Sequence, residues 1–314
     1  MATRTEERPR SAQSSPKLPR SAWFGVLRRT FSEFSADGLT DWAAALTYYG
    51  ILAIFPALIA LVSILGLIGT SATKPLLDNL GSLAPGPAHQ ILANALHGLT
   101  RSRSGAGILF VVGLAGALWS ASGYIGAFIR ASNLIWDVEE GRPIWRILPL
   151  RLFVTVLMLV LLAVSAFAVV VTGPLAHRVG KLLGIGSAAV TAWDIAKWPI
   201  LILVVSFMFS ILYYASPNVR HPSFRWLAPG GILAVVVWMV VSAAFGLYVA
   251  NFSSYNKTYG SLGAIIVFLV WLWLSNVAIL LGAELNAEVA RGRKIEAGQP
   301  ADREPFLPPR REPT

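Results

Sequence analysis

Residues 147–172 read ILPLRLFVTVLMLVLLAVSAFAVVVT, with Arg151 as the charged side chain in the run. An α-helix needs roughly 20 apolar residues to cross a hydrocarbon layer about 30 Å thick, and this run exceeds that length. For a single run, a helix buried in a soluble core is the competing reading. Moving outward from it, however, similar runs occupy 44–69, 105–129, 195–215, 227–250 and 259–282. Six such runs in one chain leave a soluble fold little room. The expected fold class is all-α: a polytopic membrane protein with six transmembrane helices plus short amphipathic interfacial helices. Pro56 interrupts the first run and Pro149 stands near the start of the third, where neighbouring helices can satisfy the freed carbonyls.

Composition agrees. A chain of 314 residues could form two soluble domains, but 55% hydrophobic residues, 13% charged residues and a mean hydropathy of +0.62 lie outside the usual globular range. The net charge of +10 comes from Lys and Arg that flank apolar runs, so it reads as a topology signal, and no nucleic-acid partner is expected. With no cysteine, disulfides, thiolate metal sites and cysteine nucleophiles are excluded.

Residues 1–20 are rich in Arg, Ser, Pro and Glu and lack the apolar stretch of a cleavable signal, so they are expected as a disordered cytosolic tail. In 21–36, Trp23, Phe24, Leu27, Phe31 and Phe34 recur at helical spacing against Arg28, Arg29 and Glu33, the pattern of a helix lying at a membrane surface. Residues 21–297 form the membrane domain, and the Pro-rich, charged 298–314 is expected as a second disordered cytosolic tail. Basic residues gather in the segments that share a side with the N-terminus, among them Arg28, Arg29, Arg130, Arg142, Arg146, Arg220, Arg225, Arg291, Arg293 and Lys294. Both ends are therefore assigned to the cytoplasm. On the opposite side, 70–104 reads as two short amphipathic helices split by Pro85-Gly86-Pro87.

Several stretches, in order, resemble the YihY/virulence factor BrkB family of bacterial inner-membrane proteins. They are Ala43-Ala44-Ala45-Leu46-Thr47-Tyr48-Tyr49 with Phe55-Pro56, Trp119-Ser120-Ala121-Ser122, the turn from Pro217 to Gly231, Tyr259-Gly260-Ser261-Leu262-Gly263, and Leu281-Gly282-Ala283-Glu284-Leu285-Asn286. The resemblance covers about 23–290. It implies a six-helix protein of the bacterial cytoplasmic membrane. The family has carried the label ribonuclease BN, a misassignment, and transport is the usual proposal for it.

In the second run, Gly113, Gly116, Ser120, Gly123 and Ala127 follow steps of three and four, and small residues on one face let helix backbones approach closely. The next step is Arg130, which either points into the cytoplasmic end of the bundle or snorkels to headgroups. Inside, its partners would be Asp41 before the first run and Glu284 at the end of the sixth. The expected polar cluster or substrate path is Asp41, Arg130 and Glu284 at the cytoplasmic mouth, with Tyr48, Ser120 and Asn276 deeper. Helix-end caps and interhelical hydrogen bonds are the structural alternatives.

An enzyme is not expected. His89, His97, His177 and His221 are isolated, and no phosphate-binding glycine loop is present, so no metal or other cofactor is assigned. The acids Asp137, Glu139 and Glu140 lie among basic residues, as in a solvated loop. The two remaining classes are a transporter or translocator of a lipid-like or amphiphilic substrate, and a structural or envelope-assembly membrane protein. Expected partners are membrane lipids, and a second copy of the chain or envelope proteins.

Overall fold

The computed structural model describes residues 18–68, 103–170, 187–221, 223–251, 261–301 and 304–313. The expected outer helices of 70–104, the loop before Gly260 and residues 1–17 lie outside the described residues.

The elements are helical throughout: α1 (Ala22–Ala36), α2 (Leu39–Ile68), α3 (Arg103–Ile135), α4 (Ile144–Val170), α5 (Ser187–Ala215), a 3₁₀ turn (Phe224–Leu227), α6 (Ala228–Asn251) and α7 (Ser261–Glu296). Among the described residues, five stretches are long and apolar enough to cross a membrane: Val111–Ile135, Ile144–Ser165, Thr191–Ala215, Ala228–Val249 and Ile265–Glu296. The protein is thus an all-α, multi-pass membrane protein. α2 is a further long helix, of 30 residues.

Each long helix packs on its neighbour in sequence, from α2 with α3 through α6 with α7, and α7 closes the circle by packing on α2. The bundle is therefore a ring. Large apolar side chains such as Val112, Trp119, Phe153, Leu203 and Val240 face outward and exposed, as expected where lipid rather than water is the surrounding solvent. The inward core centres on Leu46, Phe128, Val154, Leu212, Tyr213 and Leu280.

Glycines set the closest approach. A Cβ on Gly282 of α7 would lie 2.5 Å from the Gly230 carbonyl oxygen, and one on Gly230 of α6 would meet the Gly282 carbonyl at 2.1 Å. The backbones of α6 and α7 touch there, as small residues permit in membranes. Asn286 completes the joint: its Oδ1 accepts from the Gly230 N–H at 2.9 Å and its Nδ2 donates to the Leu227 carbonyl at 3.2 Å.

α1 ends where Gly38 adopts φ +59°, a left-handed conformation that glycine takes without a Cβ penalty, and the chain turns into α2. The buried Val26 of α1 packs with Leu285 and Val289 of α7, while Phe24, Leu27 and Phe31 stay exposed.

Residues 304–313 depart from the expected disordered tail. They lie across the turns that join α3 to α4 and α5 to the 3₁₀ turn. Val219 pairs with Pro309 as an antiparallel bridge, and Leu307 is buried in the core. Apolar anchors and backbone pairing hold a stretch whose composition alone suggested disorder.

Candidate functional site

α7 turns its polar residues inward. The Nδ2 of Asn276 donates to Thr47 Oγ1 on α2 at 3.0 Å, and its Oδ1 accepts from the Tyr124 hydroxyl on α3 at 2.8 Å. One side chain thus ties three helices, and every buried polar group in the knot has a partner. Two helical steps of four residues lead from Asn276 through Leu280 to Glu284. Leu280 is fully buried and shares its core with Phe128 and Tyr213, whose hydroxyl donates to the Ile279 carbonyl at 2.7 Å. An apolar layer therefore separates Asn276 from Glu284.

Glu284 is 2% exposed, and its Oε2 has no hydrogen-bond partner. A buried carboxylate with no ion-pair partner among the described residues is expensive to hold.

A charged lattice closes the same end of the ring. Glu288, also buried, takes Arg29 Nε of α1 and Arg291 of its own helix. Arg291 also reaches Glu33 at 3.2 Å and Glu304 at 3.1 Å, and its guanidinium lies 4.5 Å from the Phe306 ring centroid. α1, α7 and the C-terminal stretch are thereby joined. Asp37, in the turn after α1, is pushed up to about 6 by burial, with Glu33 and Glu304 adding to the effect.

Asn218 fastens the C-terminal stretch. It is fully buried, and its Nδ2 donates to the Glu139 and Arg311 carbonyls at 2.9 and 2.7 Å. Its N–H donates to Asn133 Oδ1 at 2.7 Å, and its carbonyl accepts from the Arg310 N–H at 2.8 Å. His221, against Trp136 and Tyr214, is lowered to about 4 by burial and then by the Arg310 charge.

The residues expected to form one cluster are divided by this geometry. Asn276 and Glu284 are on the inward face of α7, at two levels. Asp41 and Tyr48 are exposed, Tyr48 at 59%, on the outward face of α2, and it is Tyr49 that turns toward α3. Ser120 is half-buried, while Ser122 is the buried serine of that turn. Arg130 is exposed and makes no ion pair with Asp41 or Glu284 among the described residues. The steps from Gly113 to Arg130 average below 3.6 residues, so at 100° per residue the face rotates by about 100° and turns Arg130 away from the direction of Gly113.

Asn218, in the turn after α5, and Glu288, inside the last third of α7, were missed; only the packed end of the bundle makes them readable. Among the described residues, no group of three or more His, Cys, Asp or Glu is placed to hold a metal ion. Glu140 is occupied by Arg142 and Asn133, which hold its carboxylate below the usual range against the opposing effect of burial.

Residues 30–305 match the family model described as virulence factor BrkB. The chain is 31% identical over 274 residues to the ribonuclease-like protein YfkH of Bacillus subtilis, covering 87% of this chain and 98% of that protein. It is 32% identical to a UPF0761 membrane protein of Alkalilimnicola ehrlichii, covering 86% of this chain and 60% of that one. A UPF0761 membrane protein of Chromohalobacter salexigens is 31% identical, with 90% of this chain and 68% of that protein covered. The chain thus spans nearly all of the first of these relatives and about two thirds or less of the other two. No solved structure matches.

Proposed function

Because the chain belongs to the virulence factor BrkB family of membrane proteins, we propose that it is a six-span protein of the bacterial cytoplasmic membrane that translocates a lipid-like or amphiphilic substrate. α2 supplies the sixth span, and both chain ends face the cytosol. One observation carries this reading: Glu284, a carboxylate buried inside a ring of apolar helices with an oxygen left unpartnered. Ionisable groups that face the interior of a membrane bundle mark substrate or ion pathways. Asn276 supplies the next polar station, about 12 Å further along α7 at 1.5 Å per residue. The Leu280 and Phe128 layer between them is the closed gate of this conformation.

Reconstituted protein should accelerate the movement of a fluorescent amphiphile between leaflets of liposomes, and Glu284→Gln should abolish that acceleration while the variant still folds. Unchanged movement with the variant would refute the reading.

The packed layer itself favours the second reading, a non-transporting envelope-assembly protein. Absent movement under varied substrates and gradients, beside reproducible co-purification of one envelope complex, would select it. The ribonuclease-like name of the Bacillus relative suggests a third, but the committed Glu140 gives it little to work with. Ribonuclease activity surviving substitution of Asp137, Glu139 and Glu140 would belong to a contaminant.

A further inference from the structure

The seam between α2, α3 and α4 holds two guanidinium groups outside the site described above. At Gly126 of α3, an added Cβ would lie 2.8 Å from Arg151 Cζ, so the guanidinium of α4 rests directly on the α3 backbone. Arg151 Nε donates to the Ser122 carbonyl at 3.1 Å, and one terminal nitrogen lies 3.4 Å from Ser122 Oγ. Three residues before this notch, Gly123 makes another, where an added Cβ would lie 3.0 Å from the Tyr49 ring. One turn after Gly126, on the same face, stands exposed Arg130. Residues four apart on a helix have Cβ atoms roughly 5–6 Å apart, so Arg130 stands beside the notch that Arg151 occupies.

Among the described residues, neither arginine makes an ion pair with a carboxylate. The described ion pairs involve Arg29, Arg142 and Arg291 instead. Snorkelling accounts for one arginine reaching toward headgroups. It does not account for a second that is held against a backbone notch with a like charge beside it.

Two clustered cations without an anion are completed by one, and the guanidinium fork matches the oxygens of a phosphate. The flanks are apolar and outward: Trp119 on α3, and Trp145 and Phe153 on α4, are exposed. Arg151 is seven residues into α4, about 10 Å along its axis, a depth within reach of lipid headgroups. We propose that Arg130 and Arg151 form a binding site for the phosphate of an anionic lipid headgroup, with Tyr49 at its edge and the exposed apolar flanks against the acyl chains. Basic pockets between membrane helices bind anionic headgroups in this way. The site requires only the membrane-spanning fold and stands whether or not the protein translocates a substrate.

The test is binding of phosphatidylglycerol to the full-length detergent-solubilised protein, followed by native mass spectrometry and by thermal melting. Phosphatidylcholine and inorganic phosphate at matched concentrations are the other arms. The expected result is retention of phosphatidylglycerol and a raised melting temperature with that lipid alone. Arg130→Gln should weaken its binding about tenfold, the loss of one charge-assisted contact. Arg151→Gln should weaken it at least as much. That second variant also loses the Ser122 contacts, so if it fails to fold, Arg130→Gln, at an exposed position, decides the matter. Wild-type affinity in Arg130→Gln, or equal binding of phosphatidylcholine, overturns the site. Equal stabilisation by inorganic phosphate overturns the lipid assignment.

Discussion

Asn276 of α7 and Thr47 of α2 meet through a 3.0 Å hydrogen bond at the point where the ring of helices closes, and the same amide takes the Tyr124 hydroxyl from α3. Hydrogen bonds between membrane helices average about 0.6 kcal/mol and reach about 1.7. Asn276→Leu, close in volume and unable to bond, should therefore destabilise the bundle by about 1–2 kcal/mol. Thr47→Val should cost about half as much, since of the two interhelical bonds it removes one and leaves Tyr124 satisfied, the other bond it loses being the local one to the Ala43 carbonyl. The double variant should be no worse than Asn276→Leu alone. Additive losses in detergent melting would mean that the two side chains act separately.

The Gly230–Gly282 contact predicts a steeper loss. An added methyl at either position meets a backbone carbonyl, which no rotamer change can move aside. Gly282→Ala should destabilise by about 2–3 kcal/mol, in the range of overpacking. Gly246→Ala, with open space around its Cα, should change the melting temperature little.

Much of the ring is legible in the sequence. The apolar run at 147–172 exceeds a bilayer crossing, and so do the runs that became α3, α5, α6 and α7, because length and apolarity are properties of local sequence. Asn276 and Glu284 stood out for the same reason, as polar residues within or ending an apolar helix. Facing was harder to read. Arg130 is an extrapolation along small residues whose spacing drifts round the helix, and of the adjacent Tyr48 and Tyr49 it is Tyr49, not the expected Tyr48, that faces α3. The fold-back of 304–313 depends on Asn218, more than eighty residues away in sequence, and tail composition carries no trace of that partner.

Asn218→Ala removes two donated bonds to carbonyls and the acceptor of the Arg311 N–H. It should release residues 304–313 while the membrane helices stay folded. Amide exchange at Arg310 and Arg311 would rise toward unprotected rates, and the chain would become open to cleavage after Arg310. Unchanged protection would assign the hold to Leu307 and the backbone bridge instead.

Asp37 gives a pH dependence with a definite sign. Its carboxyl is held near 6 in the folded protein against an ordinary 3.8, through burial and then the charges of Glu33 and Glu304. The folded state therefore binds this proton more tightly than the unfolded chain does. The penalty is fully present above pH 6 and fades as pH falls toward 4. Asp37→Asn should be the more stable form at pH 7.5, by at most about 1 kcal/mol for a half-buried group screened by solvent. The two proteins should converge by pH 4. A constant gap across that window would mean that the substitution acts through the turn at Gly38 rather than through charge.

Glu284 offers a sharper separation of folding from function. Glutamine keeps the shape of the side chain and removes its charge, so Glu284→Gln should melt at the same or a higher temperature than wild type at neutral pH. A residue kept for packing or pairing would show the opposite, because its loss would leave a cavity or an orphaned cation. The adjacent Glu288 is the control: it is buried too, but it holds Arg29 and Arg291. Glu288→Gln should cost about 3 kcal/mol, the usual loss when one member of a buried pair is removed, and should loosen α1 from α7. If both variants lost stability alike, Glu284 would be a structural residue whose partner forms only in the membrane, and its claim to a transport role would lapse.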